Sequence, residues 1–216
     1  MDFQEFKKIL EQNADAKAAA FATGYLRNQF KHYGVPASKK TGLLKPLWDK
    51  KTDPIDWGFV DKCWAGEERE WQYVAIEYLW RHVSQLSRTD IPHLRRLAED
   101  KAWWDTIDSL NGLFGDIATR DESVKDIMRK WSVDKNFWIR RISIIFQLSY
   151  KGKTDTALLS ETIKNNFGDK EFFINKAIGW ALREYSKTNS EWVREFIKVN
   201  LDDMAKLSIR EASKYI

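Results

Sequence analysis

A five-residue pattern recurs in this 216-residue chain and limits its possible folds more than any other feature. Asp-Lys-Ala-Trp-Trp at 100–104 returns as Asp-Lys-Asn-Phe-Trp at 134–138 and as Asp-Lys-Glu-Phe-Phe at 169–173, in steps of 34 and 35 residues. Such a period, without a recurrent strand or cysteine pattern, predicts stacked helical hairpins whose inner faces form one concave surface. We therefore expect an all-α, right-handed superhelical solenoid.

Composition agrees with a helical fold, because four prolines and ten glycines are too few for the many turns of a β-sandwich. Pro54 and Pro92 stand where helices commonly begin. Apolar spacing predicts an entry hairpin whose second helix covers 16–33, and we expect one domain over 1–216. Further helices are predicted at about 39–50, 55–64, 68–85, 91–99, 102–119, 122–131, 136–150, 155–166, 171–187 and 190–200.

Several classes of protein are disfavoured by what the chain lacks. No apolar run approaches the roughly 20 residues of a membrane span, and the first residues do not resemble a secretory signal. We expect a soluble, cytoplasmic protein without a membrane partner, and a monomer. The lone Cys63 and three scattered histidines show no ligand spacing, so neither a metal nor a cofactor is expected.

Charge recurs together with the apolar pattern. Arg141 and Lys176 occupy matching positions in the last two clear copies, and the chain has a net charge of +4 and a pI near 9.0. Burial explains repeated apolar residues but not repeated cations. Cations repeated along one surface predict a track for a polyanion.

Two aromatic residues have charged neighbours at helical spacing. Trp104 and Asp108 are four residues apart and share a helix face, while Trp180 has Lys176 four residues before it and Arg183 three residues after it. From spacing alone, a core tryptophan beside a solvated polar residue is the commoner arrangement. Arg141 is likewise more often a salt-bridging residue than a ligand contact.

Three separated segments resemble one known family. These are Ala-Trp-Trp-Asp-Thr-Ile-Asp-Ser at 102–109, the segment from Phe137 to Leu148, and the segment from Lys170 to Tyr185. In this order they resemble the AlkD-like DNA alkylation-repair glycosylases, a family of HEAT-like (armadillo-type) repeat proteins, and the likeness covers nearly the whole chain. Three motifs in the right order are more specific than any single aromatic pair.

The resemblance implies excision of N3- and N7-alkylated purines from duplex DNA, with the lesion contacted from the backbone side of a concave DNA-binding face. It implies that Asp108, Trp104 and Trp180 are catalytic and that Arg141 and Arg183 bind DNA. Two further DNA-binding candidates are Lys176 and Tyr25, the latter in the predicted second helix. The loop Val35-Pro36-Ala37-Ser38 after Gly34 shows no clear polar match to the family.

These residue types suit the loss of a cationic base. An alkylated purine leaves as a neutral base and needs no general acid, so one carboxylate suffices where ordinary glycoside hydrolysis uses two. Asp108 would stabilise positive charge on the deoxyribose and orient water, the two indoles would flank the sugar, and Arg141 would form a fork to phosphate. Because no lysine is evidently placed as a Schiff-base nucleophile, a monofunctional glycosylase is expected.

Two other functions remain open from the sequence. One is a non-catalytic HEAT-repeat protein that binds distorted or branched DNA. The other is a scaffold whose concave face receives a protein helix. Retention of Trp104, Asp108, Arg141 and Trp180 favours the enzyme.

Overall fold

The structure, a computed structural model, describes residues 1–216 and consists of thirteen α-helices and short 3₁₀ turns, with one isolated β-bridge between Lys31 and Glu68. The predicted all-α class is confirmed. The chain forms two compact units, Met1–Gln85 and Leu86–Ile216; the single domain of the sequence analysis stays a prediction. None of the helices has the length and apolar character needed to cross a membrane.

The first unit contains five helices around an aromatic core. They are α1 (Phe3–Gln12), α2 (Ala16–Tyr25), α3 (Ala37–Leu44), α4 (Trp57–Ala65) and α5 (Glu70–Arg81). The predicted second helix, 16–33, is wrong beyond Tyr25. Arg27 and Asn28 have φ angles of 56° and 60°, and this left-handed conformation cannot continue a right-handed helix.

The loop after α2 is held by a buried carboxylate. Glu70 accepts hydrogen bonds from the backbone N–H groups of Tyr33, Gly34 and Val35 at 3.1, 2.8 and 3.2 Å. Gly34 has a φ of 83°, and a Cβ there would lie 2.2 Å from the carbonyl oxygen of Asp15. Only glycine fits this position, so the backbone conformation of the loop explains the presence of Gly34.

The second unit contains the recurrent segments. Its helices are α6 (Ile91–Glu99), α7 (Trp104–Arg120), α8 (Val124–Trp131), α9 (Phe137–Ile145), α10 (Thr156–Lys164), α11 (Phe172–Ser186), α12 (Ser190–Val199) and α13 (Lys206–Ala212). The first seven were predicted from the sequence. The prediction missed α13, which has seven residues and is not preceded by a copy of the recurrent pentapeptide.

The pentapeptide recurs because it builds the turn before a helix. The carboxylates of Asp134 and Asp169 accept the N–H group two residues ahead at 2.8 and 2.7 Å. Asp169 also pairs with Arg140 at 2.6 Å, and Asp134 with Arg95 at 2.8 Å. The aspartates of the second and third copies, Asp134 and Asp169, are therefore structural.

The aromatic positions of the pentapeptide align the helix starts. Trp103, Trp138 and Phe173 pack together, with ring centroids 4.9 to 5.9 Å apart. These rings come from the beginnings of α7, α9 and α11. The first turns of the three helices therefore lie side by side, and residues about one repeat apart face each other.

Close backbone approach fixes the neighbouring helices further along. The side-chain amide of Asn111 on α7 donates to the carbonyl of Ile145 at 3.0 Å, and a Cβ on Gly115 would lie 2.4 Å from the carbonyl oxygen of Phe146. The Tyr150 hydroxyl donates to the Gly115 carbonyl at 2.6 Å. These contacts hold the register in which the next turn of α7 faces α9.

Candidate active site

A salt bridge joins Asp108 on α7 to Arg141 on α9. Asp108 is the fifth residue of α7 and Arg141 the fifth residue of α9. The Nε and Nη2 atoms of Arg141 donate to Oδ1 and Oδ2 of Asp108, both at 2.8 Å. Two parallel charge-assisted bonds fix both the position and the plane of the carboxylate.

The rest of the Arg141 guanidinium is held by α11. Its Nη1 atom donates to the carbonyl of Phe173 at 2.6 Å, and its Cζ atom lies 5.9 Å from the ring centre of Trp180. The fork that the sequence analysis assigned to a DNA phosphate is occupied by Asp108. Contact between Arg141 and DNA stays a prediction.

Exposure differs between the two partners. The Arg141 side chain is 5% exposed, whereas that of Asp108 is 19% exposed. The arginine is therefore buried more deeply than the aspartate, and part of the Asp108 side chain stays open to solvent. A ligand arriving at this surface would meet the anion first.

Burial also changes the basicity of Asp108. Loss of solvation raises the pKa of its carboxyl group above the ordinary value of 3.8, and the nearby Asp105 adds to this rise, while Arg141 opposes both. A carboxylate with a raised pKa is a stronger proton acceptor than a solvated aspartate. Arg141 favours the charged form of Asp108 and burial disfavours it, with burial the larger of the two effects.

The two predicted tryptophans are half-buried. Trp104 is the first residue of α7, one turn before Asp108, and Trp180 lies on α11 beside the Arg141 guanidinium. Partial exposure leaves each indole with surface for a ligand. Asp108, Arg141 and Trp180 are thus joined by direct contacts, and Trp104 is placed near them by its helix.

The predicted DNA-binding cations of α11 converge on a residue that the sequence analysis missed. Lys176 and Arg183 pair with the two carboxylate oxygens of Glu211 on α13, at 3.1 and 2.7 Å. Lys214 pairs with the same carboxylate at 2.8 Å. The i,i+3 spacing of Glu211 and Lys214 signals their own pairing, but nothing in the sequence indicates that α13 packs on α11.

The sequence also predicted DNA binding by Tyr25. Tyr25 is exposed at the end of α2 in the first unit. Within residues 1–216, no group of three or more His, Cys, Asp or Glu side chains is arranged to hold a metal ion.

A family model and a solved structure to which this chain is similar carry nearly the same description. A family model described as "DNA alkylation repair enzyme" matches residues 6–216. A solved structure described as "Predicted DNA alkylation repair enzyme from Enterococcus faecalis" is similar with a TM-score of 0.88 and 34% sequence identity, over 94% of this chain and 97% of that chain. No curated protein matches the chain. The family match includes every residue of the candidate site.

Proposed function

The chain belongs to the DNA alkylation repair enzyme family, and on this basis we propose that it is a monofunctional DNA glycosylase. Its proposed substrates are positively charged N3- and N7-alkylpurines in duplex DNA, released by hydrolysis of the N-glycosidic bond. The observation that carries the proposal is the partly open Asp108 carboxylate, fixed by the two parallel hydrogen bonds of Arg141.

The reaction balances without an added cofactor. As the bond between C1′ and the purine nitrogen breaks, its electron pair goes to the purine and cancels the positive charge of the alkylated ring. Water then forms a bond to C1′ and gives one proton to solvent. The products are a neutral base and an abasic site.

Asp108 acts on the sugar in this scheme. Positive charge develops at C1′ as the base departs, and an anion nearby stabilises it. Two unit charges about 4 Å apart at an effective dielectric near 20 interact by roughly 4 kcal/mol, which corresponds to at most about a thousandfold in rate. Assistance of this size suffices only for a substrate that is already labile.

Arg141 restricts the choice of lesion. Because its guanidinium binds both carboxylate oxygens at 2.8 Å, Asp108 is held as an anion and has no proton to give to a leaving group. Uracil and oxidised guanine are neutral and require such a proton or an equivalent activation. We therefore assign cationic lesions to this site and exclude neutral ones.

The indoles complete the proposed site. The face of an aromatic ring attracts cations, and Trp180 is already beside one in Arg141. In the proposed complex, Trp104 and Trp180 flank the deoxyribose while it carries positive charge, and the lesion is approached from the backbone.

Base release is the direct test. The protein is incubated with duplex DNA containing N7-methylguanine and, in parallel, with the same duplex containing uracil, and released bases are separated by chromatography. We expect methylguanine to be released faster than it is lost spontaneously and uracil to be retained.

Two results would contradict the proposal in different ways. Binding of the methylated duplex without accelerated release would indicate a non-catalytic DNA-binding protein. Absence of binding even at low ionic strength would indicate a protein-binding scaffold. A salt-titrated binding measurement beside the release assay separates these outcomes.

A further inference from the structure

Four charged side chains in the second unit form a cluster around one carboxylate. We name it the Glu211 cluster, and its members are Lys176, Arg183, Glu211 and Lys214. Lys176 and Arg183 come from α11, Glu211 comes from α13, and Lys214 from the 3₁₀ turn Ser213–Tyr215. The sequence predicted DNA binding for Lys176 and Arg183 and no role for Glu211 and Lys214.

The cluster has an excess of positive charge, with three cations and one anion. The Glu211 side chain is 6% exposed, whereas Lys176, Arg183 and Lys214 are 37%, 23% and 46% exposed. The carboxylate therefore lies beneath the cations. An approaching anion meets positive groups whose net charge Glu211 only partly cancels.

Hydrogen-bond donors remain available in the cluster. Arg183 uses Nη1 for Glu211, which leaves Nε and Nη2 without a partner in the protein. Each lysine ammonium has three N–H groups, and Lys176 and Lys214 each make one ion pair to Glu211. Because Glu211 already holds these long side chains in place, a ligand bound here loses less affinity to side-chain ordering.

The cluster is continuous with the candidate active site. Lys176, Trp180 and Arg183 are spaced four and three residues apart, so they share one face of α11. Trp180 in turn contacts the guanidinium that grips Asp108. A group bound by the cluster would lie next to whatever Trp180 contacts.

We propose that the Glu211 cluster binds a phosphate of the DNA backbone and that Lys214 is a DNA-binding residue. This inference rests on the proposed function, since it takes duplex DNA as the ligand. It extends the DNA-binding surface from α11 to the C-terminal helix α13 and the turn after it. In DNA, the phosphate bound here belongs to the backbone beside the nucleotide that faces Trp180.

The test is the salt dependence of binding to an undamaged, fluorescein-labelled duplex. Each phosphate neutralised contributes about 0.9 to the slope of log affinity against log salt concentration. We expect Lys214→Gln to lower the magnitude of this slope by about that amount and Lys214→Arg to restore it. A Lys214→Gln slope equal to that of the unaltered protein would overturn the proposal.

Lys198→Gln is the matched control. Lys198 also pairs with a glutamate three residues before it, Glu195 at 3.3 Å, and lies on the preceding helix α12. Its replacement removes the same charge outside the cluster, so the slope should stay unchanged. Equal decreases for Lys198→Gln and Lys214→Gln would show an effect of net charge alone and would also overturn the proposal.

Thermal unfolding and base release, measured beside binding, keep the outcome unambiguous. Thermal unfolding checks that each variant is folded, and Lys176→Gln replaces Lys214→Gln if the latter is not. Binding is read on undamaged DNA, so the result does not depend on catalysis. Normal base release with an unchanged slope would reject the cluster alone, while a lowered slope in a protein without base release would reject only the glycosylase.

Discussion

At the residue scale, the candidate site is organised by two parallel hydrogen bonds from Arg141 to the carboxylate of Asp108. The choice of Asp108, Arg141 and Trp180 came from a family resemblance, and the structure places them in contact. The pairing of Asp108 with Arg141 was missed although a signal existed. They are 33 residues apart, one residue less than the step of 34 that separates the first two copies of the pentapeptide, so they lie on neighbouring repeats within one residue of the same position.

Replacing Asp108 by asparagine tests its role most directly. The change removes the negative charge while retaining size and one acceptor oxygen for Arg141. We expect release of N7-methylguanine to fall by up to about a thousandfold, the limit set by one charge interaction. DNA affinity should not fall, because the negative charge of Asp108 repels phosphate and the variant lacks that charge. The measurement is single-turnover base release together with equilibrium binding to the same duplex.

Asp116→Asn provides the control for Asp108→Asn. Asp116 lies on the same helix, α7, and also pairs with an arginine, Arg120 at 2.6 Å. Its replacement should leave base release unchanged. If Asp108→Asn instead abolished DNA binding, Asp108 would be a binding or structural residue and the catalytic assignment would be wrong.

At the element scale, periodic helices were predicted well and irregular ones were not. The predicted helix 91–99 matches α6 at both ends, because its apolar spacing and Pro92 mark it clearly. The end of α2 depends on left-handed backbone at Arg27 and Asn28, and neither residue type requires that conformation. The position of α13 depends on packing against α11, which no local pattern records.

The contact between α11 and α13 gives a prediction at this scale. A Cβ on Gly179 would lie 2.4 Å from Cβ of Glu211 and 3.0 Å from the carbonyl oxygen of Ser208. Gly179→Ala must push α13 away from α11, and overpacking of this kind costs about 1–3 kcal/mol. We expect a lower free energy of unfolding, measured by urea denaturation, and weaker DNA binding because the Glu211 cluster spans the two helices.

Gly152→Ala is the appropriate comparison. Gly152 lies in the same unit, in the turn Lys151–Lys153, and a Cβ there meets nothing within 4 Å. Its replacement should leave the free energy of unfolding nearly unchanged. A Gly179→Ala protein as stable as the Gly152→Ala protein would contradict the close packing of α13 on α11.

At the scale of the whole molecule, the net charge is only +4, but the pKa values of individual carboxyl groups differ with their surroundings. Burial raises the pKa of Asp134, but the N–H group of Asn136 and the guanidinium of Arg95 outweigh it and hold that pKa below its ordinary value. A hydrogen bond from the backbone N–H group of Leu158 lowers the pKa of Asp155, and the ammonium group of Lys125 lowers it further. Lys214 and Lys176 lower the pKa of Glu211 from 4.5 to about 2. The net charge could be counted from the sequence, but these environments depend on contacts between repeats.

Acid stability follows from this distribution. A carboxyl group whose pKa is lower in the folded state binds fewer protons there than in the unfolded chain, so acidification favours unfolding. The contribution of Glu211 is fully present above pH 4.5 and is lost as the pH falls towards about 2. Asp108, with its raised pKa, acts in the opposite direction. We expect the thermal unfolding midpoint to fall as the pH decreases from 4.5 towards about 2. The carboxyl groups with lowered pKa values, Asp134, Asp155 and Glu211, outnumber Asp108, whose pKa is raised.

Glu211→Gln isolates the largest of these contributions. Glutamine cannot titrate, so the variant should start with a lower midpoint at neutral pH, where three cations have lost their shared anion. Its midpoint should then decrease less steeply on acidification than that of the unaltered protein. Parallel curves for the two proteins between roughly pH 4.5 and pH 2 would mean that Glu211 does not couple protonation to folding. The three cations would then be held in place by α11 and the C-terminal turn without the help of the carboxylate.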